Sequence, residues 1–141
     1  MAKNDFSYVL SPTAGRLPSA YRLIPATTGV PAVGVVVTTG AAVWGAYADI
    51  AAVGAITAEF FIVGFYLDTL GVAQIFEAQI ADATPTVLTE FRINPTAVTV
   101  NLGLLPAGAY PIYMAANARV QARAGGTLAK VIGVSMLYTT G

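Results

Sequence analysis

Residues 58–68 read Ala58-Glu59-Phe60-Phe61-Ile62-Val63-Gly64-Phe65-Tyr66-Leu67-Asp68, an aromatic and β-branched run of strand length. Residues of this kind fit a pleated, packed surface, and the run lacks the 3.6-residue spacing of an amphipathic helix. Side chains alternate across a strand, so Phe60, Ile62 and Tyr66 fall on one side and Phe61, Val63, Phe65 and Leu67 on the other. A half-buried strand has one wet side, and this one has none. One row can face a core. The other needs a cover, either the chain's own N-terminal arm or a second protein molecule. Burying each large apolar side chain is worth about 1.5–3 kcal/mol, and an exposed row of four would be an aggregation-prone patch. The row Phe61, Val63, Phe65 and Leu67 is therefore the expected contact between subunits of a homo-oligomer.

Outward from this run the texture persists. From residue 32 onward, β-branched and aromatic runs are separated by Gly, Pro, Asn or Asp, the pattern of an all-β sandwich or barrel. Strands are expected near 33–39, 42–48, 56–67, 72–81, 86–93, 97–104, 110–123 and 127–138, with a helical turn possible in the alanine-rich stretch around Ile50. About eight strands suit a jelly-roll-like antiparallel β-sandwich. Val98, Val100, Leu102 and Leu104 form one inward row, and Leu128, Ile132, Val134, Met136 and Tyr138 another. Between them, the polar row Asn117, Arg119, Gln121 and Arg123 alternates with the small-residue row Ala116, Ala118, Val120 and Ala122. Gly125-Gly126 reads as a two-residue hairpin turn joining the last two strands. Residues 1–31 carry Pro12, Pro18, Pro25 and Pro31 between short apolar pieces, which predicts an extended N-terminal arm ahead of a sandwich domain over 32–141.

Composition narrows the chemistry. Only 10% of the 141 residues are charged, against about 25% in ordinary globular proteins, and 56% are hydrophobic. That is little charge with which to coat a free monomer. Seven basic and seven acidic residues cancel, and Arg16, Arg22, Arg92, Arg119, Arg123, Lys3 and Lys130 are dispersed, so there is no electrostatic source for nucleic-acid binding. Residues 23–48 and 93–118 are uncharged for longer than a bilayer requires, but prolines and glycines break both, so neither reads as a membrane helix. No long apolar run precedes Ser11, so the N-terminus does not read as a secretory signal.

With no histidine and no cysteine, the chain lacks the parts for a Ser-His-Asp triad, a His-ligated or Cys-ligated metal, a thiol nucleophile or a disulfide. Asp49, Glu59, Asp68, Glu77, Asp82 and Glu90 show no pairing signal for glycoside hydrolysis, and Glu77 or Glu90 is expected to pair with Arg92 across strands. No nucleophile elbow, phosphate cradle or calcium loop occurs. The expectation is a protein that is not an enzyme and carries no cofactor or metal. Trp44, Tyr47, Tyr110 and Tyr113 sit beside turns, where aromatics serve either a core or interface or a sugar platform.

The stretch LPAGAYPIYMAANARVQARAGGTLAKVIGVSMLY (105–138) has a Pro-Ala-Gly turn, a small-residue/arginine alternating strand and a closing V-x-x-V-x-x-L-Y strand. With FIVGFYLDTLGVAQIFEAQIA (61–81), it resembles small β-sandwich virion proteins of tailed bacteriophages, most closely the capsid decoration, or cement, proteins. The likeness spans residues 55–138. It implies a structural protein on the outer capsid surface, made in the host cytoplasm, that forms a homotrimer and binds the major capsid protein, with no nucleic-acid or membrane partner. It carries over no catalytic residues. Tyr8, Leu10, Arg16, Leu17, Tyr21 and Arg22 of the arm are then the expected capsid contacts, clamping adjacent subunits. A receptor-binding or glycan-binding module of a tail or fibre, with an aromatic concave site near Trp44 or Tyr113, is one alternative. A self-assembling shell or filament subunit is another.

Overall fold

In the computed structural model, which describes residues 21–25, 34–95 and 104–140, the β-branched runs become ten strands, with no helix among the described residues. They are β1 (Arg22–Ile24), β2 (Val35–Ala41), β3 (Ala48–Ala51), β4 (Phe60–Leu70), β5 (Phe76–Ala81), β6 (Val87–Ile93), β7 (Leu105–Pro106), β8 (Ile112–Met114), β9 (Val120–Gly126) and β10 (Val131–Thr140). All belong to one curled mixed sheet in the order β6-β5-β9-β2-β10-β4-β7, with β1 added to β10, β3 to β9 and β8 to β4. The chain is all-β, as its composition predicts. It has ten strands instead of about eight, and the parallel pairing of β2 with β9 departs from the antiparallel pattern expected of a jelly roll.

The curl originates in β2. Its first half pairs with β10 through Val35–Thr38, and its second half pairs with β9 through Thr39–Ala41. One strand is thus shared by two halves of the sheet, which close over a common core. Phe65 of β4 meets Phe91 of β6 across that core, their rings stacked with centroids 6.1 Å apart. At the crossover Thr39 is buried. Its hydroxyl donates to the Leu128 carbonyl at 2.8 Å and accepts from the Lys130 N–H at 2.8 Å, pinning the 127–130 loop.

The register of β4 corrects the two-faced reading of residues 58–68. Against β10, Leu137 pairs with Gly64 and Tyr138 with Ile62, so Val63 is an extra residue, a β-bulge. The side-chain period of a strand is two, and one extra residue sends everything beyond it to the other face. Phe60 and Ile62 before the bulge and Phe65 and Leu67 after it therefore share a single core. A second irregularity between Leu67 and Leu70 resets the alternation, and Leu70 joins them. Gly64, beside the bulge, permits close approach: a Cβ there would lie 2.5 Å from the Leu105 carbonyl oxygen of β7.

Other sequence expectations shift for local reasons. Residues 42–47 form a loop, not a strand, and β3 begins at Ala48. The stretch around Ile50 is β3 followed by a hydrogen-bonded turn, Ala55 N–H to Ala52 carbonyl at 3.0 Å, and not a helical turn. The run 110–123 is divided into β8 and β9 by a turn in which Asn117 adopts φ 63°, a left-handed conformation that asparagine tolerates. Gly125 and Gly126 are not a hairpin turn. They lie inside β9, opposite Glu77 and Phe76 of β5, and β2 intervenes between β9 and β10. Residues 22–24 of the expected arm are sheet: Arg22, Leu23 and Ile24 pair with Tyr138, Leu137 and Met136. The strand expected over 97–104 falls almost wholly outside the described residues.

Candidate functional site

On the outward face of the β6-β5-β9 half, register places polar side chains in two rows. Val120, Ala122 and Ala124 of β9 are buried in the core, so Gln121, Arg123 and Gly125 face out. In the first row Arg123 lies opposite Gln79, and Gln79 opposite Glu90. Arg123 Nε donates to Gln79 Oε1 at 2.9 Å, and Gln79 Nε2 donates to Glu90 Oε2 at 3.0 Å, a relay from guanidinium through amide to carboxylate. In the second row Gly125 lies opposite Glu77, and Glu77 opposite Arg92. Arg92 donates through Nε and Nη2 to Glu77 Oε1, the cross-strand pair expected from sequence. Glu90 takes Gln79 instead.

The 42–47 loop overhangs these rows. Ala42, at φ 57°, turns the chain out of β2, its N–H donating to the Gly126 carbonyl at 2.7 Å. Gly45 N–H donates to the Ala124 carbonyl at 2.8 Å, so the loop tracks the edge of β9. Trp44 and Tyr47 thereby bracket Arg123, whose guanidinium carbon is 5.1 Å from one ring centroid and 4.8 Å from the other. Cation–π contacts at exposed sites contribute about 0.5–1 kcal/mol each, a modest bias toward this indole orientation.

Between loop and rows runs a groove of about 530 Å³, with Gly125 and Gly126 as its floor, Val43 and Trp44 on one wall, and Ile75, Glu77 and Arg92 on the other. A smaller hollow of about 270 Å³ continues it along Trp44, Glu77, Glu90 and Arg92. Gly125 puts no side chain on this face, and a Cβ there would lie 3.1 Å from the Val43 carbonyl oxygen of the overhanging loop. At the end of the groove Gln74 ties down the 127–130 loop, donating to the Leu128 carbonyl at 3.0 Å and accepting from its N–H at 2.7 Å. At the opposite end of β5, away from the groove, the Asp82 carboxyl accepts from the Thr84 hydroxyl and from the N–H groups of Thr84 and Thr86, and these bonds hold it below the usual aspartate range.

The residues singled out from sequence are scattered by the fold. Phe65 is fully buried and Leu67 nearly so, both within the chain's own core. Phe61 is also covered, its ring edge-on to Tyr113 at 5.7 Å, and Val63 is half-buried. A single molecule therefore shields this row without a sister subunit. Tyr21 and Arg22 are exposed at β1, while Tyr8, Leu10, Arg16 and Leu17 lie outside the described residues. Of the four turn aromatics, Trp44 and Tyr47 converge on Arg123, and Trp44 also lines the groove. Tyr113 lies on the other half of the sheet, its hydroxyl donating to Glu59 Oε1 at 3.0 Å, and Tyr110 is exposed beyond β7. The partners of Trp44 were not named from sequence, although the matched polar spacing of Gln121/Arg123, Glu77/Gln79 and Glu90/Arg92 marks three strands that can share a polar face. Among the described residues no cluster of carboxylates could hold a metal ion. Compared with known protein families, curated proteins and solved structures, the chain matches none.

Proposed function

We propose that the chain is a structural subunit of a virion surface, a capsid decoration protein that associates with copies of itself and grips adjacent capsid subunits. The observation that supports this reading is the outward face of the β1-β2-β10-β4 half. Paired positions on that side of the sheet include Leu23 and Leu137, Val36 and Gly133, Thr38 and Val131, and Tyr66 and Ser135; none is charged, and Leu23, Val36 and Thr38 are exposed while Gly133 and Ser135 are buried. Val36 is 59% exposed and, beside β1, Tyr21 is 56% exposed. An uncharged apolar face of this kind suits coverage by another protein surface. It replaces the Phe61–Leu67 row as the place for subunit contact. The finer sandwich architecture belongs to the same proposal, supported by the Phe65–Phe91 contact between the facing halves.

Binding only an assembled lattice stabilises that lattice by mass action, so the activity is mechanical and needs no reacting group. The proline-rich residues 1–20 are the clamp in this scheme; β1 belongs to the sheet. Size-exclusion chromatography with light scattering tests the self-association, a trimer being the expected mass and Val36→Lys with Leu23→Lys the variant that dissociates it. A monomer unaffected by both substitutions overturns that part. Co-sedimentation with expanded phage capsids tests the clamp: protein lacking residues 1–20 should stay folded and lose decoration, and undiminished binding overturns the role of those residues.

A further inference from the structure

We propose that the groove beside Trp44 is a binding site for a neutral oligosaccharide. Four observations carry this inference independently of the virion reading. First, the floor cannot recognise a peptide backbone. Gly125 is already paired on both sides, with Gly40 of β2 and Glu77 of β5, so the floor offers no main-chain ladder to an extended chain and recognition falls to side chains. Second, those side chains combine an aromatic ring with planar polar groups. Trp44 lines both the groove and its extension, whereas Arg123 lines neither, so the part of the indole facing the groove is not the part that Arg123 covers. Val43 at 66% exposure and Ile75 at 45% extend this apolar surface on both walls, suited to the C–H face of a pyranose.

Third, hydrogen-bonding capacity remains. Arg92 donates to Glu77 Oε1 through Nε and Nη2, which leaves Glu77 Oε2 and Arg92 Nη1 to bracket adjacent hydroxyls of a ring lying on Trp44. Fourth, charge selects the ligand. Arg92 and Arg123 are balanced by Glu77 and Glu90, so the site has no net attraction for a phosphate, sulfate or uronate. The volume falls within the range of small-ligand sites, about 300–1,000 Å³. An aromatic wall, a glycine floor and a self-compensated polar rim together fit polyhydroxylated rings better than an ion or a strand.

Trp44 is the only tryptophan of the chain, so its emission reports on this groove alone. Titrations would use millimolar maltotriose, cellotriose, chitotriose and lactose, with heparin trisaccharide as the anionic control and an apolar proline-rich decapeptide as the peptide control. The expected result is a saturable blue shift with at least one neutral sugar and none with either control. Glu77→Gln and Arg92→Ala should each weaken that sugar at least tenfold with an unchanged melting temperature, while Tyr110→Ala leaves it unaltered. Trp44→Ala, followed by ligand-observed NMR, should abolish binding. Silence across the four sugars overturns the proposal, as does equal or tighter binding of the heparin fragment or the peptide, or sugar binding that survives both Glu77→Gln and Arg92→Ala.

Discussion

The two outward faces of the curled sheet differ in chemistry and in how their strands keep register. On the β5-β6-β9 side, pairing is regular through Glu77–Gln79 and Glu90–Arg92, and the outer face is a polar ladder overhung by Trp44 and Tyr47. On the β4-β10 side, two irregularities in β4 turn one strand over twice, and the paired positions named on the outer face carry no charge. Where register is regular, polar and apolar residues alternate in the chain as they do in space. Where it is broken, a row of bulky residues in the sequence no longer corresponds to a row on the surface.

The largest expected effect tests that contrast at one residue step. Phe65→Ala should cost about 3–5 kcal/mol because it empties fully buried space against Phe91, whereas Tyr66→Ala, on the outer face, should cost under about 1 kcal/mol. Equal costs in urea unfolding would break the parity assignment. Next, Gly64→Val should destabilise by about 1–3 kcal/mol through its clash with the Leu105 carbonyl of β7, and an unchanged urea midpoint would contradict that close approach.

On the polar side the effects are smaller. Ala42→Gly should stabilise by about 0.5–1 kcal/mol, since left-handed backbone costs alanine about 1–2 kcal/mol and glycine returns part of that gain as chain entropy. A lowered melting temperature would contradict the turn geometry that sets the groove wall. Asp82→Ala should give the smallest change, and a pH-dependent one. Its carboxyl is held below the usual aspartate value in the folded chain, so its contribution is present above the unfolded pKa and is lost as pH falls through the folded pKa. The difference between wild type and variant in urea midpoint should therefore narrow on acidification from pH 7, and a difference that widens would reverse the sign.

How much of this could be read from the chain follows from the same contrast. The all-β class, the strand at 86–93, the Glu77–Arg92 pair and four of the five residues of the last inward row (Ile132, Val134, Met136 and Tyr138) were legible because period-two alternation survives there, whereas Leu128 lies in the loop before β10 and is exposed. The destination of Phe65 and Leu67 was not, since a bulge is defined by the partner's register and Val63 looks locally like any strand valine. Gly125-Gly126 misled for a related reason. Paired glycines satisfy a tight turn, and they equally satisfy a strand over which a tryptophan loop must pass: a Cβ on Gly125 would be 3.6 Å from Trp44 Cε3. Trp44 itself was legible as a turn aromatic, but its guanidinium partner lies 79 positions away in the chain and is brought to it only by the placement of β2 beside β9.

That placement also constrains how the molecule comes into being. Among the described residues β2 pairs only with residues 124–126 and 131–134, so those pairings cannot form until the ribosome has passed the middle of the sequence. Long-range closure of this kind is slow, with all-β domains taking milliseconds to seconds. The nascent polypeptide thus carries its central strand without a template for some eighty residues of synthesis, and β10 is the ribbon that joins β2 to β4.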